Sequence, residues 1–339
     1  MVNAGHIPIS VLDLVPIVEG GSASESFRNS IEFAQSVERL GYTRFWVAEH
    51  HSMPGIASAA TSVVIALIAG ETSSIRVGAG GIMLPNHAPL VIAEQFATLE
   101  AMFPGRIDLG LGRAPGSDRA TAYALRRDLN VDDFPRLLEE LEFFLKEPLD
   151  TQKVRAVPEG GYKVPIWLLG SSGFSAQLAA RLGYPFSFAA HFSPENLNAA
   201  LDLYRSNFRP SNTLSKPYAM VALNVFAADT DREAERLATS QYQSFINLLR
   251  GTPARIQPPV DDMDSIWTDA EREMVQQRMG GSIIGGPDKV EKELQRFVRQ
   301  TNPDELMVHT IMFDHAARLR SYEIVANALN ADHAEPASA

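Results

Sequence analysis

Eight short apolar runs, each followed by a segment with helical spacing, constrain this chain more than any other of its features. The runs fall at 9–14, 45–48, 75–79, 107–111, 165–169, 185–189, 218–227 and 306–310. Helical patterns follow at 26–40, 58–70, 90–102, 134–146, 174–182, 194–207, 232–249 and 315–329. In 26–40 the apolar positions Phe27, Ile31, Phe33, Ala34, Val37 and Leu40 share one face, and Gly41 ends the pattern. Strand–helix alternation predicts a parallel sheet whose crossovers are helices. Eight such units match a (β/α)₈ barrel, whereas a doubly wound sheet usually has fewer strands. A polar loop runs from strand four to about residue 130. Residues 251–284, rich in Pro, Asp, Met and Gly, are expected to form an insertion or mobile lid before strand eight. Residues 1–330 are read as one domain and 331–339 as a disordered tail.

Composition narrows the partners. The net charge of −11 argues against a nucleic-acid binder, which would present a basic face to phosphates. The chain has no cysteine, which excludes disulfides, thiolate metal sites and thiol catalysis and fits a cytoplasmic location. No secretory signal precedes the first strand, and the most apolar stretch, 63–69, is too short to span a bilayer.

In such a barrel the active site lies at the C-terminal ends of the strands, and the unusual residues cluster there. Strand two runs into Glu49-His50-His51, which can act as a proton relay, as metal ligands or as structural capping groups. Metal is disfavoured because adjacent residues on an extended strand point to opposite faces. Strand three ends in Ala79-Gly80-Gly81, where three glycines within 78–81 mark either a bulge or the close approach of a ligand. Arg113 after strand four can grip a phosphate or pair with Asp118. Strand five ends in Gly170-Ser171-Ser172-Gly173-Phe174-Ser175 at a helix start, an anion site; simple N-capping accounts for only one or two of its serines. His191 after strand six is either functional or an ordinary loop histidine.

Taken together, Arg44-Phe45-Trp46-Val47-Ala48-Glu49-His50-His51, Gly80-Gly81-Ile82-Met83-Leu84-Pro85-Asn86-His87 and Pro104-Gly105-Arg106-Ile107-Asp108-Leu109-Gly110-Leu111-Gly112-Arg113-Ala114-Pro115-Gly116 closely resemble the bacterial-luciferase-like monooxygenases. The single-chain bacterial branch is the nearest match, with Asp304-Glu305-Leu306-Met307 and Asp314-His315-Ala316-Ala317-Arg318 agreeing near the C-terminus. The resemblance spans roughly residues 7 to 329. It implies a (β/α)₈ barrel that takes reduced FMN (FMNH₂) from a separate NAD(P)H-flavin reductase and uses O₂, through a flavin peroxide, to oxygenate a small organic substrate. It further implies a homodimer.

By the same resemblance His50 is the catalytic histidine, with His51 and Glu49 in support. Gly80-Gly81 falls where the family often has a non-prolyl cis peptide under the isoalloxazine ring, and Ala79 and His191 belong with the flavin site. Arg113 and Gly170 to Ser175 align with the phosphate-binding residues. Ser171 replaces a glutamate of the luciferases, which removes a negative charge from a phosphate site. The aldehyde-binding residues of luciferases have no counterpart here, so substrate and light emission do not carry over. Two alternatives remain open at this stage: a deazaflavin (F420)-dependent oxidoreductase, and a non-catalytic flavin-binding protein.

Overall fold

A computed structural model describes residues 7–114, 118–126 and 133–330. Nine strands are present among the described residues: β1 (Ile9–Asp13), β2 (Arg44–Val47), β3 (Arg76–Met83), β4 (Ile107–Gly112), β5 (Ile166–Gly170), β6 (Phe186–Ala189), β7 (Ala219–Ala227), β8 (Ile283–Gly285) and β9 (Glu305–His309). Eight of them pair in parallel as a closed ring. β1 to β7 follow in chain order, and β9 lies between β7 and β1. This is the (β/α)₈ barrel expected from the sequence. β8 stays outside the ring, paired only to the C-terminal half of β7 through Val225↔Ile283 and Ala227↔Gly285.

The helices are α1 (Ala23–Arg39), α2 (Thr61–Gly70), α3 (Pro89–Met102), α4 (Arg119–Ala124), α5 (Phe134–Leu145), α6 (Gly173–Leu182), α7 (Leu197–Ser206), α8 (Asp231–Leu249), α9 (Asp269–Met279), α10 (Pro287–Thr301) and α11 (His315–Asn330). None of the described helices is long and apolar enough to cross a membrane. α1 shows why these segments are helical. Ser22 and Glu25 form a reciprocal capping box, the buried side chains recur at Ser26, Ser30, Phe33, Ala34 and Val37, and Gly41 leaves the helix at φ +81°. The cap starts the helix three residues before the apolar period becomes visible.

Four elements were not expected from the sequence. The polar loop after β4 contains α4, capped by Asp118, whose side chain accepts from the Thr121 N–H at 2.9 Å. Residues 251–284 contain α9, with its own Thr268/Glu271 capping box, and β8. α10 lies between that segment and the last strand, where no helix was expected; its buried positions are confined to Val290, Leu294 and Thr301. Pro115, Gly116 and the 331–339 tail lie outside the described residues.

Alternation along the strands divides the barrel into an outer core and an interior. Val11, Phe45, Val77, Leu109 and Leu168 face the helices. Inside, Leu12, Trp46, Trp167, Met220 and Met307 pack together, with the two indoles edge-to-face at 5.2 Å. Beneath them, toward the N-terminal ends of the strands, lies an ionic plug. Arg44 reaches Asp108 at 2.7 Å and Glu305 at 3.0 Å, and Arg76 reaches Asp108 at 2.6 Å. Trp46 Nε1–H donates to Asp108, the Tyr218 and Ser10 hydroxyls donate to Glu305, and the Arg44 guanidinium rests on the Trp167 ring. Burial works to discharge Arg44, but Asp108 and Glu305 win and hold it above its ordinary pKa.

Candidate active site

The opposite end of the barrel opens into a cavity of about 460 Å³, within the range typical of small-molecule and cofactor sites. Its floor is the inward-facing set of the strand ends, Gly80, Leu169, Ala222, Met307 and His309. Its rim carries His50, Gly81, Arg113, Gly170, Ser171, Ser172, Ser175 and His191. Most residues singled out from the sequence therefore meet at one place. Glu49, His51, Ala79, Gly173 and Phe174 do not line the cavity and act, if at all, from behind it.

Glu49 shows how. Its carboxylate is almost fully buried and turned toward the loop after β3. Oε1 pairs with His51 Nε2 at 2.7 Å and accepts from Asn86 Nδ2 at 3.0 Å. Oε2 pairs with His87 Nε2 at 2.9 Å and accepts from the Met83 N–H at 2.9 Å. Burial works to raise its pKa, but the His87 pairing, the Asn86 amide and the Met83 N–H hold the carboxylate below the usual range. The Glu49 N–H also donates to the Gly81 carbonyl at 3.3 Å. Glu49 thus ties β2 to the Gly80–Gly81 segment and fixes the direction in which the next residue, His50, enters the cavity.

The Gly80–Gly81 peptide is cis, and the pairing of β3 with β4 shifts register there. A Cβ on Gly80 would come within 2.7 Å of the Leu12 side chain, and one on Gly81 within 2.7 Å of the Gly110 carbonyl. Only glycines keep this floor open. Ala79, one step earlier, points outward into the helix layer.

Arg113 and the loop that begins at Gly170 meet on one side of the cavity. Ser172 is the N-cap of α6 in extended conformation, yet its side chain makes no capping hydrogen bond, so its hydroxyl is not spent on the helix. Ser175 is buried one turn later. At Gly170 a Cβ would lie 2.5 Å from the Ser175 Cβ, so the strand must end in glycine for the loop to fold back. Arg113 is positioned by its guanidinium lying over the Phe174 ring at 4.2 Å, which gives Phe174 a role without contact with the cavity.

Two buried imidazoles complete the polar surface. His191 and His309 have ring centroids 5.3 Å apart. Burial, reinforced by the neighbouring His309, Arg278 and His50, holds His191 well below the usual histidine pKa. Burial likewise takes His309 down to about 4, opposed in part by its bond to the Leu12 carbonyl. Both are therefore neutral near pH 7. Asn224 donates to the His191 carbonyl at 2.7 Å. His191 Nδ1, Asn224 Oδ1 and Gln241 Oε1 are buried without a hydrogen-bond partner among the described residues, a costly state that a bound ligand would relieve.

Sequence reasoning missed His309, Asn224, Gln241 and Arg278. The first two were within reach, since both stand on the inward alternation of their strands. Gln241 lies on α8. Arg278 sits at the end of α9, inside a segment without usable periodicity.

A family model for luciferase-like monooxygenases matches residues 8–305. A luciferase-like monooxygenase of Escherichia coli K12 is 53% identical over 320 residues, covering 94% of this chain and 96% of its own. The N-acetyl-S-alkylcysteine monooxygenase of Bacillus subtilis is 32% identical, covering 95% and 98%. Among solved structures, apo-MsnO8 superposes with a TM-score of 0.84 at 35% identity, covering 95% and 98%. Two more distant structures share the fold. They are the oxygenating constituent of the Pseudomonas putida 3,6-diketocamphane monooxygenase in complex with FMN (TM-score 0.72, 20% identity, covering 96% and 98%) and an F420-dependent secondary alcohol dehydrogenase (TM-score 0.71, 14% identity, covering 95% and 99%).

Proposed function

Because this chain belongs to the luciferase-like monooxygenase family, we propose that it is a two-component enzyme using reduced FMN and O₂ to oxygenate a small organic substrate. The carrying observation is the convergence of an anion cradle and a histidine on one glycine-floored cavity. The residues fit the cofactor. Arg113, Ser171, Ser172 and Ser175, with the N-terminal N–H groups of α6, would hold the phosphate. Gly80 and Gly81 leave room for a flat ring, and the unpartnered atoms of His191, Asn224 and Gln241 are available to ring or substrate polar groups. When bound, reduced flavin supplies the electrons that activate O₂.

The chain's own part is placement, proton handling and exclusion of water. His50 enters the cavity from a position fixed by Glu49 and moves the proton at its ring nitrogen. His51 and His87 clamp Glu49 from either side. Pro253, Ala254, Ile256 and Met279, contributed by residues 251–284, wall one side of the cavity against solvent. In this proposal a separate NAD(P)H-flavin reductase delivers the reduced flavin. The exposed Val63 and Leu67 of α2, beside Val91 and Met102 of α3, offer an apolar face for a homodimer.

His50→Ala is expected to abolish most oxygenation while FMN binding, followed by flavin fluorescence, persists; unchanged turnover would remove His50 from the mechanism. Supplying reduced FMN and reduced deazaflavin separately while recording O₂ uptake tests the cofactor. Uptake coupled to product with FMN alone supports the proposal, and hydride transfer from deazaflavin without O₂ uptake replaces it.

A further inference from the structure

We infer that Arg278 recognises a carboxylate, so that the substrate is an apolar organic acid; the inference deepens the monooxygenase reading and rests on it. Arg278 lies in the last turn of α9 and is half-buried at the cavity wall. Its guanidinium lies 5.3 Å from the Phe192 ring centroid and 5.0 Å from that of Phe245. Those contacts hold it by stacking, and among the described residues no acceptor takes a hydrogen bond from it and no carboxylate pairs with it within 4 Å. Glu195, the acid nearest in charge, is occupied by the Ser193 hydroxyl and the Asn196 amide.

A cation at a helix C-terminus is a common helix-stabilising placement, worth about 0.3–1 kcal/mol when exposed. That accounts for a basic residue in this turn. It does not account for one turned inward between two phenylalanines, where burial works to lower its pKa. An arginine so placed presents a planar set of donors suited to one partner, a carboxylate or a phosphate. The phosphate of the flavin already has Arg113 and the serine loop at the ends of β4 and β5.

The rest of the cavity describes the other end of the ligand. Met53, Ile56, Leu248, Pro253, Ile256 and Met279 line it with apolar surface. Among the described residues no Asp or Glu lines it, although the chain carries 41 of them. Among the described residues an acidic protein thus keeps its carboxylates out of a cavity lined by two arginines. An acid with an alkyl or aryl body satisfies both halves of this surface.

The test uses FMN-loaded protein titrated with straight-chain alkanoates from butanoate to dodecanoate and with their methyl esters. At the chain length that fits, the acid is expected to bind at least about tenfold tighter than its ester, the effect of one charge-assisted pair. Arg278→Gln should erase that preference while leaving FMN affinity within about twofold, and Arg278→Lys should restore part of it, which separates recognition from a folding defect. Equal binding of acids and esters along the whole series overturns the inference. So does a loss of oxidised or reduced FMN affinity in Arg278→Gln as large as the loss for acids, since the guanidinium would then serve the flavin. Arg278-dependent acid binding in a protein that never couples reduced FMN and O₂ to oxidation supports the inference and defeats the monooxygenase reading alone.

Discussion

The two ends of the barrel handle buried polarity in opposite ways. At the N-terminal end Asp108 and Glu305 are completely buried, yet each accepts bonds from arginine and from at least one neutral donor. At the C-terminal end His191 Nδ1, Asn224 Oδ1 and Gln241 Oε1 have no hydrogen-bond partner among the described residues. A satisfied ionic plug resists any change that removes one member, because the remaining charge is left buried and alone. An orphaned buried polar atom costs about 1–3 kcal/mol unless something else completes it. One end of the strands is built for stability and the other gives up stability for binding.

The largest effect expected from this contrast lies in the plug. Asp108→Ala takes its carboxylate from Arg76, leaves Arg44 to Glu305 alone and strands the Trp46 N–H, and should cost about 3–5 kcal/mol in urea unfolding. A loss below about 1 kcal/mol would mean that water replaces the carboxylate and that the two ends do not differ. At the other end, Arg113→Ala should weaken FMN binding by about ten- to a hundredfold, the range of a bond to a charged group, and leave the unfolding midpoint of the flavin-free protein nearly unchanged. A matching drop in stability would make Arg113 structural.

Glu49 sits between the two styles, a buried carboxylate at the C-terminal end of the strands that is as fully paired as the plug. Its pKa is held below the ordinary 4.5, so its stabilisation is complete above about that pH and is lost as pH falls through the lowered folded-state value. Glu49→Gln should cost about 1–3 kcal/mol at neutral pH and flatten the decline of melting temperature between pH 5 and pH 3, relative to wild type. An unchanged acid profile would show that its pairing contributes nothing to folding. The smallest change is expected for Gln241→Leu, which removes an unsatisfied acceptor and should leave stability within about 0.5 kcal/mol of wild type or raise it. A clear loss would show that Gln241 is not an orphan in solution.

How legible this was depended on periodicity. The eight barrel strands and their flanking helices could be read because each buries one consistent face, and the strand-end residues His50, Arg113, Ser171 and His191 then fell on one rim. α9, β8 and α10 could not. β8 is three residues long, too short for a pattern, and α9 buries only Val275 and Met279. Glu49 was legible as important but not in its role, since its partners Met83, Asn86 and His87 follow a different strand. Arg278 was illegible for a deeper reason. Its meaning comes from Phe192 and Phe245, which are distant in sequence and stand after β6 and on α8.

The pairing of β8 with β7 has a consequence for how such a chain can diversify. Residues 251–284 are stapled to the barrel at both ends, through Ile256 to the Ile17 and Glu19 backbone and through β8 to the half of β7 that extends beyond the ring. Everything between the staples, including the stretch that carries Arg278 and Met279, can be rewritten without altering a residue of the closed barrel. The segment is a replaceable cassette: one scaffold can reshape its cavity by exchanging a single wall.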